Sequence, residues 1–111
     1  MPPIDAARLD VPPTTLALLR DLLARHVPRA AVWAYGSRVV GGAHEGSDLD
    51  IVLRNARDAS AEIEGADDLR EAVQQSLIPL LVEIHLWPHL PERFHQQIEQ
   101  AYAVLQPGRP L

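Results

Sequence analysis

The sequence predicts an α+β domain, a small mixed β-sheet with helices packed mainly on one face. Three observations point there. Short apolar stretches bounded by Gly or Pro read as strands, longer stretches show helical spacing of aliphatic residues, and the two kinds are interleaved. A chain of 111 residues with 47% apolar content suits one domain around one core. Residues 1–111 are expected to form that single unit, with residues 1–13 as an extended, proline-rich arm.

The first helix is expected over "TTLALLRDLLARHV", where Leu16, Leu19, Leu22 and Leu23 share a face. Thr14 or Asp10 offers an N-cap, and Pro28 closes the far end. "AAVWAYG" follows as a buried strand. In "DLDIVL", Leu49, Ile51 and Leu53 point to one face of a second strand, and Asp48, Asp50 and Val52 to the other. "ASAEIEGADDLREAVQQSL" has helical spacing at Ile63, Leu69 and Val73, with Gly65 weakening its first half. "LLVEIHLW" is a third strand stopped by Pro88. "PERFHQQIEQAYAVL" reads as a last helix with Phe94, Ile98, Ala101 and Leu105 inward.

Composition narrows the function. A net charge of −5 argues against electrostatic binding to a nucleic-acid backbone. With no cysteine there is neither a disulfide framework nor a thiolate metal site, which fits a reducing compartment such as the cytoplasm. No apolar run approaches the ~20 residues that span a bilayer. A cytoplasmic protein without nucleic-acid or membrane partners is expected.

Chemistry gathers in "AYGSRVVGGAHEGSDLDIVL". Asp48 and Asp50 leave one surface of their strand with bases roughly 6.6 Å apart, so both reach a common metal centre. Two like charges on an otherwise apolar strand require either solvent or such a cation. Gly36, at the exit of the preceding strand, lets a phosphate approach the backbone, and Ser37 adds a hydroxyl and an N–H. Arg38 is placed to add a charge-assisted contact to a polyphosphate. The spacing is neither a Walker A loop nor a dinucleotide fingerprint. Glu83 shares a strand face with Leu81 and His85, and its partner is a metal, an arginine or solvent.

Other polar groups read as structural. Pro88 lies between His85 and His89, which removes the helical geometry of a zinc pair. Glu62, Glu64, Asp67, Asp68 and Glu71 read as an exposed face. Trp33 and Tyr35 read as core residues, and Trp87 as a packing, stacking or interface residue.

Gly36-Ser37, ten intervening residues, Asp48-x-Asp50 and an acid on a later strand together resemble the signature of the nucleotidyltransferases of the DNA polymerase beta superfamily. The small size and the ending "VEIHLW…ERFHQQIEQAYAVL" look like its minimal, MNT-type branch, over roughly Thr14 to Leu105. The resemblance implies a polymerase-beta-like nucleotidyltransferase fold. It implies that Gly36 and Ser37 hold the β/γ-phosphates of a nucleoside triphosphate, that Asp48 and Asp50 bind a pair of Mg²⁺ ions, and that Glu83 binds one of them beside the attacking hydroxyl. Attack on the α-phosphorus with departure of pyrophosphate follows. Minimal members usually carry Asp where this chain has Glu83, whose extra methylene moves the carboxylate outward by about 1 Å or more.

Small MNT proteins also resemble antitoxins encoded beside HEPN-type toxins, where AMP passes from ATP to a tyrosine hydroxyl of the partner. That implies a toxin partner and either a homo- or a hetero-oligomer. The alternative is a catalytically silent antitoxin that neutralises its partner by covering it. A third reading, transfer to a small molecule, usually requires a larger second domain.

Overall fold

The computed structural model of the chain describes residues 3–44 and 46–108. Strands β1 (Ala30–Tyr35), β2 (Leu49–Asn55), β3 (Val82–Leu86) and β4 (Ala103–Gln106) form one sheet in the order β3-β2-β1-β4. β1 runs antiparallel to β2 and β4, whereas β2 and β3 are parallel. Four helices accompany them: α1 (Pro13–His26), α2 (Ser37–Val40), α3 (Ala66–Gln75) and α4 (Glu92–Gln100), with 3₁₀ turns at Ala6–Arg8 and Trp87–His89. A parallel pair needs a long crossover, and α3 supplies it between β2 and β3. The small mixed sheet with its helices is the expected class.

Alternation fills the main core. Val32 and Ala34, Leu49, Ile51 and Leu53, Val82 and Ile84, and Ala103 and Leu105 all meet one cluster. Leu19 and Leu23 of α1 and Leu69 and Val73 of α3 cover them, as the leucine and valine spacing requires. Each fully buried Leu or Ile contributes about 1.5–3 kcal/mol. Among the described residues no helix is long and apolar enough to cross a membrane.

The opposite face is covered only in part. Trp87 and Ile98 bury Val52 there, joined by Trp33, Tyr35, Leu90 and Tyr102. Trp33 stacks on Tyr102 at 4.2 Å, Trp87 on His95 at 4.0 Å, and the Arg54 guanidinium lies 5.0 and 4.8 Å from the two indole rings. Cation–π attraction of about 0.5–2 kcal/mol helps hold this cover in place. Trp87 is thus a packing residue, at the start of a 3₁₀ turn and not at the end of a strand.

Two elements depart from the sequence reading. The last helix stops at Gln100, Ala101 is already extended (φ −156°, ψ 103°), and the remainder forms β4. That strand satisfies the second edge of β1, which a helix cannot do. Phe94, expected inward, is 39% exposed, and Ile98 alone on α4 is buried. The N-cap of α1 is Pro12 with Pro13 at its first position, and neither Thr14 nor Asp10 caps it through a side chain.

The segment ahead of α1 is more built than an extended arm. The Asp5 carboxylate caps the Ala6–Arg8 turn, Leu9 is buried, and the Ile4 N–H donates to Tyr102 O at 2.7 Å. The first half of the second expected helix, the part that Gly65 weakens, is turn, and α3 begins after Gly65.

Candidate functional site

The uncovered part of the second sheet face carries the acids. Asp50 pairs in register with Tyr35 on β1 and Glu83 on β3, so the three side chains form one row across adjacent strands about 4.8 Å apart. The next row, Trp33, Val52 and His85, runs under the aromatic cover. The cover ends there. Asp50 and Glu83 lie half-buried beyond it, with Asp48 half-buried just ahead of β2.

The electrostatics mark Asp50 as the centre. Burial pushes its carboxyl above the ordinary carboxylate range; His85 opposes this, while Asp48 and Glu83 add to the rise. Burial, then the charges of Asp50 and Glu83, push the Tyr35 phenol up to about 12. Among the described residues no three acids or histidines close into a ready ligand cage. Three carboxylates on one face repel one another when no cation lies between them. The donor set itself, carboxylate oxygens without thiol, suits a hard cation such as Mg²⁺.

Gly36 closes the site from above. Its φ of +86° with ψ of −160° is a glycine conformation, and a Cβ built there lies 2.8 Å from Asp50 Oδ2. The backbone thereby lies directly against the carboxylate. Val39 and Val40 donate their N–H groups back to Gly36 O, which turns the chain into α2 with Ser37 first in the turn.

Arg38, expected to contact a polyphosphate, spends guanidinium donors on the main chain. It is 7% exposed, and its guanidinium donates to the carbonyls of Asp10, His44 and Ser47. His44 is exposed and accepts the Gly46 N–H through Nδ1. His89 bonds Glu62 at 3.0 Å, well removed in role from His85, whose ring centroid lies 6.4 Å from that of Tyr35. Glu62, Glu64, Asp67, Asp68 and Glu71 are exposed. Tyr35, read from the sequence as a core residue, stands instead half-buried in the row with Asp50 and Glu83. Its signal was its place just before Gly36, at the exit of β1.

The nucleotidyltransferase domain family matches residues 16–105. The chain is 35% identical over 100 residues to the probable protein adenylyltransferase MntA of Haemophilus influenzae, covering 90% of this chain and 86% of that protein. A solved toxin-antitoxin structure with AMP-PNP is similar in fold, with a TM-score of 0.66 and 18% identity over 85% of this chain and 74% of that one. With the family matched over most of its length and its acids gathered beneath a glycine-serine bend, the chain belongs to the nucleotidyltransferase domain family, as a minimal, MNT-type member.

Proposed function

We propose that this chain transfers AMP from ATP to a hydroxyl of a partner protein, a tyrosine of a HEPN-type toxin, and so acts as an antitoxin. The observation that carries the reading is the row Asp50–Glu83 with Asp48 beside it, on an uncovered sheet face under Gly36 and Ser37. The relative named a probable protein adenylyltransferase supports both the adenylyl donor and the protein acceptor. The neighbour described as a toxin-antitoxin supports the setting.

In this reading Gly36 and Ser37 hold the triphosphate tail, Gly36 by admitting it close to the backbone and Ser37 by its hydroxyl and N–H. Asp48, Asp50 and Glu83 hold the Mg²⁺ pair. When bound, the metal supplies positive charge against the attacking and leaving oxygens. The acceptor oxygen forms its bond to the α-phosphorus as the bond to the bridging oxygen breaks; pyrophosphate leaves and the hydroxyl proton passes to solvent. Glu83, on the outermost strand, stands on the acceptor side. Positioning and electrostatics do most of the work.

The test uses purified chain, the toxin encoded beside it, Mg²⁺ and ATP labelled at the α-phosphate. Label is expected on a partner tyrosine with wild type and absent with Asp50→Asn. Neutralisation of the toxin by both proteins with no label on the partner would replace this reading with a silent, covering antitoxin.

A further inference from the structure

Arg38 is the one buried charged side chain among the described residues. Its Nε and Nη2 both donate to Ser47 O, at 3.0 and 2.9 Å, and Nη2 also reaches His44 O at 3.2 Å. Its Nη1 donates to Asp10 O at 2.6 Å, and the Asp10 N–H returns a bond to Arg38 O at 2.9 Å. The forked pair on one carbonyl matters because the Ser47 C=O and the Asp48 N–H belong to the same planar peptide unit. The following peptide is held as well, by the Leu49 N–H on Leu81 O at 2.9 Å, so Asp48 leaves the backbone between two fixed peptide planes.

The turn is closed locally by the Ser47 N–H on His44 O, the His44 N–H on Ser47 Oγ and the Gly46 N–H on His44 Nδ1. A Cβ built on Gly41 or Gly42 meets nothing within 4 Å, so packing does not hold the start of the loop to the body of the protein. The guanidinium ties the closed turn to that body, and its other end is anchored on Asp10. That anchor lies ahead of residue 16, where the family match begins.

We propose that Arg38 is a positioning residue for Asp48, held from behind by the main chain of Asp10, so that the segment before α1 is a working part of the site. The proposal rests on the reading of Asp48 as a metal ligand. Arg38 acts through the loop and leaves the triphosphate to Gly36 and Ser37.

Arg38→Lys keeps the charge but cannot place two donors on Ser47 O, and Arg38→Met removes both. The first measurement is amide hydrogen exchange in protein free of Mg²⁺ and ATP. Exchange at Gly46–Leu49 is expected to quicken about 10-fold or more in both variants, with α1 and α3 unchanged. In transfer assays kcat is expected to fall about 100-fold and the Mg²⁺ requirement to rise, with KM for ATP within about twofold.

Unchanged exchange at Gly46–Leu49 would overturn the proposal. So would a KM for ATP raised about 10-fold at unaltered kcat, which would make Arg38 a phosphate ligand. If Arg38→Met does not fold, Asp10→Pro serves in its place. It removes the N–H given to Arg38 O, and Leu9, at φ −61° and ψ 141°, already has the conformation a following proline requires. The same quickening is expected there, and its absence counts against the anchor. Should wild type transfer no AMP, the proposed function fails while the exchange result still decides the positioning role.

Discussion

Asp50 and Glu83 stand opposite each other in register on the parallel strands β2 and β3, with Tyr35 on the other flank of Asp50. Two acids paired across a sheet destabilise the protein that carries them unless something positive lies between. The fold therefore holds Asp50 at a cost to its own stability, which the proposed cation would offset.

Asp50→Asn relieves that repulsion. Differential scanning calorimetry of the metal-free protein is expected to show a higher Tm for the variant. Because Asp50 is half-exposed, the gain is held under about 1 kcal/mol, or up to ~5 °C. Added Mg²⁺ is expected to raise the Tm of wild type and leave the variant unmoved.

The pH dependence follows with its sign. The folded pKa of Asp50 is raised, so the folded state keeps the proton more tightly than the unfolded chain does. Metal-free stability accordingly declines as pH climbs from the ordinary carboxylate range through the folded value, then levels. Urea melts across that window are expected to show this slope in wild type and not in Asp50→Asn.

Tyr35 marks the alkaline side. Burial and the neighbouring acids push its phenol up to about 12 from the ordinary 10.0, so stability is present below the unfolded value and is lost as pH rises toward the folded one. Tyr35→Phe is expected to flatten the melting curve's fall over that interval.

Gly36→Ala places a methyl 2.8 Å from Asp50 Oδ2 at a φ of +86°. Backbone strain of about 1–3 kcal/mol and a displaced carboxylate are expected together. Denaturant melts are expected to register the first, and a loss of transfer larger than the loss of folded protein the second.

Trp87→Ala removes the indole that buries Val52, stacks on His95 and faces Arg54. A loss of about 3–5 kcal/mol is expected in denaturant melts, with the spectrum of α1 and α3 retained at low denaturant.

Much of the architecture was legible because it depends on local pattern. Leu19 and Leu23 at helical spacing, and Leu49, Ile51 and Leu53 at strand spacing, each declare a face without reference to any partner. β4 was hidden because Ile98, Ala101 and Leu105 continue a helical spacing through a segment in which Ala103 and Leu105 alternate as a strand. The row joining Tyr35, Asp50 and Glu83 depends on pairing register across segments far apart in sequence. Arg38 was read as facing a ligand because it follows Ser37. It donates to carbonyls six and nine residues ahead and 28 behind, which no local spacing announces.

Among the described residues no strand lies beyond β3, so the line of acids runs out to the edge of the sheet. In the proposed transfer a reactant arriving there would meet a ledge and need no tunnel, so bulk in the acceptor would be no obstacle. Leu77 and Leu81 are already turned outward.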